Sequence, residues 1–291
     1  MLGVLDVGGG MRGAYGAGVL DYCIDNHIEF DYAIGVSAGS ANIASYLGHQ
    51  KGRNLPFYAE YPLRKEYMSI NNFRKCGSYL DLNYVYTELS NTGKENPLNY
   101  QGIMDNNCIF KVVATNALNG EPNYFTKYDL QLDNYDIFKA SSCIPLACRP
   151  YYIGGIPYYD GGVADPVPIL KAFSDGVDNL IVILTKPKYY TKNPEDDLRP
   201  VRFLKVRHPN VAEKLKHRAL NYNIGVATAI AYEKTGRVKV IAPNDTCGVD
   251  TLTKDPEKVK TLYQAGYHDG EQIKTYLETL KSKIDDPNLV K

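Results

Sequence analysis

Residues 30–47 read Phe30-Asp31-Tyr32-Ala33-Ile34-Gly35-Val36-Ser37-Ala38-Gly39-Ser40-Ala41-Asn42-Ile43-Ala44-Ser45-Tyr46-Leu47. The change of pattern within this stretch decides the fold. Phe30 to Gly35 is apolar and β-prone, which predicts a short buried strand. Ala38 to Leu47 is rich in small residues and predicts a helix. Between them lies Gly35-Val36-Ser37-Ala38-Gly39, a G-x-S-x-G. In a strand–turn–helix of this kind the serine occupies a sharp, strained turn, and glycines stand where neighbouring segments pass too close for side chains. The turn exposes the serine Oγ at the top of a sheet, and the helix N-terminus faces any negative charge that develops there. Alone, the pattern arises by chance in roughly one chain in ten of this length, so its weight comes from this setting.

Working outward, the same alternation recurs. Leu2 to Val7 is an apolar run broken by Gly8-Gly9-Gly10-Met11-Arg12-Gly13, and Ala17, Leu20 and Ile24 then mark a helix over Ala14 to Asn26. Further strands are expected at Phe110 to Thr115 and Leu180 to Thr185. Strands alternating with helices imply parallel βαβ units. The fold class is therefore α/β, a three-layer α/β/α sandwich with a mainly parallel central sheet. Tyr151 to Tyr159, with Gly154-Gly155 at its centre, reads as a hairpin that delivers Asp160. Its tyrosines suit cross-strand pairing, with the lining of a substrate pocket as the other reading. Tyr61 to Gly102 is polar and rich in Tyr and Asn, placed where a lid or substrate loop could sit. Beyond a polar connection from Tyr189 to Pro200, helices are expected at Asn210 to Lys234 and Pro256 to Leu280, with a strand at Val238 to Ile241. Asp255-Pro256-Glu257 is a helix start, with an N-cap, proline in the first position and an acid in the first turn.

The glycine loop at residues 8–13 also follows a strand and opens a helix. Such a loop presents backbone N–H groups to a ligand. One use is an oxyanion hole. The other is a dinucleotide pyrophosphate site, because Gly8, Gly10 and Gly13 spell G-x-G-x-x-G. The latter wants an acid at the far end of the next strand, yet Asp31 lies at its near end and the far end carries Gly35 and Ser37. The third motif is Asp160-Gly161-Gly162. A serine hydroxyl needs a base to take its proton during attack, and an aspartate within hydrogen-bond reach can serve. Two glycines after it permit a tight turn, although Asp-Gly is also a common structural turn pair.

The chain has 291 residues, is 44% hydrophobic and 23% charged, and balances 33 basic against 33 acidic side chains. No basic surface calls for nucleic acid. No signal peptide and no transmembrane run of apolar residues is visible. Six scattered cysteines suit a reducing, cytoplasmic compartment with free thiols. Cys143 and Cys148 have no second pair or nearby histidine to complete a zinc site. The 25 tyrosines are read as a composition bias. An α/β-hydrolase triad would need a histidine after Asp160. His208, His217 and His268 are available to complete one, each more simply read as a surface or structural residue. His27 and His49 precede the candidate base and match nothing.

Taken in order, the three motifs resemble those of the patatin-like phospholipase family, G-G-G-x-R-G, then G-x-S-x-G, then D-G-G or D-G-A, and Leu184-Thr185-Lys186-Pro187 looks like a bacterial branch of it. Ala140-Ser141-Ser142-Cys143-Ile144-Pro145 and Val163-Ala164-Asp165-Pro166-Val167-Pro168 add to the resemblance, which covers about the first 185 residues. It implies a Ser-Asp dyad with no histidine, in which Ser37 attacks the acyl carbonyl and Asp160 accepts its proton. It also implies an oxyanion hole from Gly8, Gly9, Gly10, Arg12 and Gly13, with Gly35, Gly39, Gly161 and Gly162 as motif glycines. No metal and no cofactor are expected. The implied substrate is a lipid or other fatty-acyl ester, met in the cytoplasm or peripherally at a membrane surface. A general carboxylesterase with a His-completed triad and a dinucleotide-binding protein are the alternatives. Residues 1–187 are expected to form the catalytic domain, and residues 188–291 a mainly helical region packed on it.

Overall fold

The structure, a computed structural model, describes residues 1–285. Eight strands form one sheet: β1 (Leu2–Asp6), β2 (Tyr32–Val36), β3 (Ile109–Asn116), β4 (Pro122–Thr126), β5 (Tyr151–Ile153), β6 (Ile156–Asp160), β7 (Asn179–Ile183) and β8 (Val238–Ile241). They run in the order β5-β6-β3-β2-β1-β7-β8, with β4 also on β3. The pairs β3–β2, β2–β1, β1–β7 and β7–β8 are parallel. β4 and β6 join β3 antiparallel, and β5 pairs with β6 in the same sense. The helices are α1 (Gly13–Asp25), α2 (Ala38–Leu47), α3 (Leu55–Ala59), α4 (Ile70–Cys76), α5 (Tyr100–Asp105), α6 (Asp136–Ser141), α7 (Ile169–Ser174), α8 (Leu198–Leu204), α9 (Pro209–Lys234), α10 (Pro256–Asp269) and α11 (Glu271–Asp285).

The central strands are apolar on both sides because both faces are covered, as parallel sheets require. Alternate residues feed two cores. Val4, Ala33, Ile181 and Ile183 face α1, α2 and α10 through Ala17, Leu20, Ile43, Val259 and Leu262. Leu5, Ile34, Val182 and Val240 face α7 and α9 through Ile169, Ala172, Val226 and Ala229. This is a three-layer α/β/α arrangement, with a mainly parallel central sheet.

The pairing of β3 has a consequence for the site. Residues 111–115 pair with β4, so β4 occupies one edge of β3. β2 and β6 share the other edge. β2 runs along it until Val36 meets Val113, and β6 takes over where Asp160 meets Ala114. The C-terminal ends of β2 and β6 therefore meet head-on, at neighbouring residues of one strand.

The expected helix over Pro256 to Leu280 is two helices, α10 and α11, broken at Gly270. A Cβ at Gly270 would lie 2.7 Å from the Tyr22 Cβ, so the junction is pressed against α1. The break aims α11 so that Ile273 is fully buried and the Tyr276 hydroxyl donates to the Gly236 carbonyl at 2.9 Å. The polar connection of residues 189–200 is not wholly a surface loop, since Asp197 is buried. β8 extends the sheet beside β7, and α10 lies along α1. Cys23, Cys108, Cys143, Cys148 and Cys247 are free thiols.

Candidate functional site

Ser37 stands between β2 and α2 with φ 55° and ψ −130°, a backbone conformation rare for a residue with a side chain. Holding it costs about 1–3 kcal/mol, so surrounding contacts must over-determine the turn. An added Cβ at Gly35 would overlap the Ser40 backbone, and one at Gly39 would overlap the Asp6 carbonyl. The Ser37 N–H donates to the Oγ of fully buried Ser141 at 2.9 Å. Ser37 caps α2 without spending its hydroxyl on the helix.

Asp160 is held by its backbone on both sides. Its N–H donates to the Cys143 carbonyl at 2.9 Å, and its carbonyl accepts from Thr115 Oγ1 at 2.8 Å. Its Oδ1 accepts the Gly162 N–H at 2.8 Å, and the nearby Ser37 side chain acts on the carboxyl. Burial raises the carboxyl above the usual carboxylate range, against the lowering effects of Ser37, Gly162 and Arg218. As a base Asp160 must be ionised, so kcat/KM should rise with pH, with a midpoint above the ordinary aspartate value of about 3.9. A pH–rate profile whose acid limb lies at or below that value would contradict this.

In the glycine loop Gly8, Gly9 and Gly10 all have positive φ, at 64°, 121° and 62°. The Gly8 N–H is already given to Asp6 Oδ1 at 2.9 Å, and the Met11 N–H to the Thr251 carbonyl at 3.1 Å. The Gly13 N–H turns back onto the carbonyls of Gly10 and Met11. The amides of Gly9 and Gly10 have no acceptor among the described residues. Of the expected glycine donors, these two are the ones left open. The Arg12 guanidinium pairs with Asp250 and donates to Thr251 Oγ1 at 3.0 Å.

Two cavities meet at Ser37, sharing Gly10, Ser37, Ile144 and Thr251. One is apolar, walled by Ala41, Phe57, Tyr67, Leu80, Leu82 and Val85. The other is polar and contains Asp160, Arg12, Lys186, Lys192, Arg218 and Tyr222.

A family model described as patatin-like phospholipase matches residues 7–173. The chain belongs to the patatin-like phospholipases. A second model, for a domain of unknown function (DUF6363), matches residues 208–281. The uncharacterized protein YjjU of Escherichia coli (strain K12) is 32% identical over 193 residues, covering 63% of this chain and 52% of that protein. The chain thus spans about half the length of this relative. The structure of VipD from Legionella pneumophila superposes with a TM-score of 0.48 at 14% identity, covering 95% of this chain and 66% of VipD.

Both patatin motifs and residues outside them shape the site. Asp6, fully buried, accepts from the Gly8 N–H and from Asn42 Nδ2 at 2.9 Å, and burial raises its carboxyl to about 6. Tyr58 OH donates to Asn42 Oδ1 at 2.7 Å. This network braces the glycine loop, and no motif spacing signals it. Arg53 lines the apolar cavity and donates to Ser45 Oγ, Ser90 Oγ and the Asn96 carbonyl. The polar stretch of residues 61–102 supplies much of that cavity's wall. The hairpin tyrosines do not line either cavity. Tyr151 pairs with Tyr158 across the strands. None of the later histidines lines a cavity at Ser37. His208 packs against the Tyr159 ring, His217 bonds Glu213, and the side chain of His268 is 84% exposed. Asp31 accepts the Leu2 N–H at the opposite end of β2 from Ser37. Among the described residues no helix is long and apolar enough to cross a membrane, and no group of three or more His, Cys, Asp or Glu is placed to hold a metal.

The two glycines after Asp160 differ in what a side chain would meet. A Cβ at Gly161 would overlap the Val113 carbonyl of β3, whereas one at Gly162 meets Asp160 Oδ1 at 3.1 Å. Gly161→Ala should destabilise by about 2–3 kcal/mol, as overpacking against backbone does. Gly162→Ala needs a shift of only a few tenths of an ångström and should fold like the wild type. Equal urea midpoints for the two variants would refute the distinction.

Proposed function

We propose that this chain is a lipid acyl-ester hydrolase with Ser37 as nucleophile and Asp160 as its base. The observation that carries the reading is the head-on meeting of β2 and β6 on one edge of β3. It sets the Ser37 hydroxyl against a buried carboxylate at the junction of an apolar and a polar cavity. Ser37 Oγ attacks the acyl carbonyl carbon while its proton passes to Asp160. The carbonyl oxygen takes up the negative charge and is met by the open amides of Gly9 and Gly10 and by the N-terminus of α2, whose donors cost no reorganisation. The intermediate collapses, the alcohol leaves with the proton from Asp160, and an acyl-serine remains. Water then attacks it, losing its proton to Asp160, and Asp160 returns that proton to Ser37 Oγ as the fatty acid is released. The apolar cavity suits the acyl chain.

Hydrolysis of p-nitrophenyl esters of increasing chain length tests this. Ala41 lies one helical turn after Ser37 and lines the apolar cavity. Ala41→Phe should lower kcat/KM for long-chain esters about tenfold more than for the acetate, since each lost buried methylene is worth a sizeable factor. An unchanged chain-length profile would remove the acyl assignment. Absence of hydrolysis on every ester would remove the proposal itself.

A further inference from the structure

The polar cavity carries more positive charge than its acids neutralise. Arg12, Lys186, Lys192 and Arg218 line it, with Asp160 the acid among them. Arg12 is engaged by Asp250, and Arg218 by buried Asp197, to which its Nε donates at 3.0 Å. Neither Lys186 nor Lys192 forms an ion pair within 4 Å among the described residues, although Asp250 acts on Lys186 and Asp197 and Asp196 on Lys192 from farther off. Lys186 Nζ lies 3.7 Å from the centroid of the Tyr190 ring. Lys192 is set in position by its main chain, whose N–H donates to Asn223 Oδ1 at 2.8 Å and whose carbonyl accepts from Asn223 Nδ2 at 3.1 Å.

We infer that Lys186, Lys192 and Arg218 form an anion subsite for a phosphate group on the alcohol side of the ester, selecting phospholipids without a cationic headgroup. This rests on the hydrolase reading above. Two ammonium groups in a half-buried cavity are costly without a partner, and a phosphate answers both with charge-assisted hydrogen bonds. Arg218 gives N–H groups to Asp197 and keeps others of its five. Burial, with Arg218 and Lys186 nearby and against the raising effects of Asp197 and Asp196, lowers the Lys192 ammonium to about 8, and a bound anion would hold that proton in place. Among the residues that line the cavity, a choline-type cation would meet Lys186 and Lys192 and one carboxylate, that of Asp160. The geometry also divides the substrate, with acyl chain in one cavity and phosphate in the other, joined at Ser37. Lys186, Lys192 and Arg218 lie outside the residues matched as patatin-like, so the selectivity is contributed by the later part of the chain.

The experiment compares initial rates on phosphatidylglycerol and phosphatidylcholine of identical acyl composition, at equal mole fraction in neutral-detergent micelles. Wild type, Lys192→Arg and the double variant Lys186→Gln/Lys192→Gln are assayed, each checked by thermal unfolding. In parallel, glycerol 3-phosphate and inorganic phosphate are titrated calorimetrically into Ser37→Ala with and without the two glutamines. Wild type should prefer phosphatidylglycerol about tenfold or more, because both lipids offer the same phosphate and only the choline cation is repelled by the two lysines. Lys192→Arg should keep that preference and the double variant lose it. Glycerol 3-phosphate should bind Ser37→Ala and not its glutamine counterpart, more weakly as salt is added. Equal wild-type rates on the two lipids overturn the inference, and if inorganic phosphate still binds, the subsite serves a free anion. A protein that hydrolyses neither lipid and no p-nitrophenyl ester, yet binds glycerol 3-phosphate through the lysines, sinks the hydrolase reading and leaves the subsite standing. Absence of both hydrolysis and binding sinks the two together.

Discussion

Ser37→Ala is expected to lower kcat for ester hydrolysis by about ten-thousandfold or more, and Asp160→Asn by a comparable factor. The alanine variant has no Oγ to form the acyl intermediate. The asparagine variant keeps the shape and the Gly162 hydrogen bond but cannot take the proton. Because the two act on one proton in one step, the double variant should be no slower than the slower single one. His268→Ala should keep wild-type rates, since that side chain is 84% exposed and lines neither cavity at Ser37. Both site variants should fold. Ser37 donates its backbone N–H, not its hydroxyl, to Ser141, and replacing a buried carboxylate by an amide removes a desolvated charge. Steady-state kinetics on a short ester with matched circular dichroism decides it. A Ser37→Ala protein that turns over at wild-type rate ends the proposal, and an Asp160→Asn protein within tenfold of wild type assigns the base elsewhere.

Gly266→Ala should cost about 3 kcal/mol of stability, although alanine is the better helix former by about 1 kcal/mol. α1 and α10 cross with their backbones in contact. A Cβ at Gly266 would overlap the Tyr15 carbonyl, and one at Gly18 would overlap that of Tyr263. The obstacle is main chain on both sides, so no side-chain rotation relieves it and the helices must separate. Separation strains the bonds that flank the crossing, Tyr15 OH to Asp269 and Tyr263 OH to Asp21, both 2.6 Å. Sterics therefore outweigh propensity. Activity should fall as well, because α1 begins at the glycine loop and the Thr251 carbonyl ahead of α10 holds the Met11 amide. Gly52→Ala is the control, with positive φ and nothing within 4 Å of the added Cβ, so its cost is conformational alone. Urea unfolding compares them. A Gly266→Ala midpoint equal to wild type would show that the crossing relaxes freely.

What residues 1–185 determined by themselves is local. A glycine loop after an apolar strand, a serine between Gly35 and Gly39, and an aspartate before Gly161 each describe a turn whose backbone few residues can adopt, so their placement survives without knowledge of distant contacts. The alternation of strands and helices is local for the same reason, and with the order of the motifs it was enough for the family and the layers. What only the tertiary structure decided depends on contacts far apart in the chain. Ser37 and Asp160 are 123 positions apart in numbering, and they meet because β2 and β6 divide one edge of β3 between them. The open amides were narrowed to Gly9 and Gly10 because Asp6 and Thr251, neither of them in a motif, took neighbouring ones. The break at Gly270 was hidden in an unbroken helical pattern, since what forbids a side chain there is Tyr22 on another helix. Lys192 and Arg218 carry no motif, and only folding brings them to the cavity that holds Ser37 and Asp160.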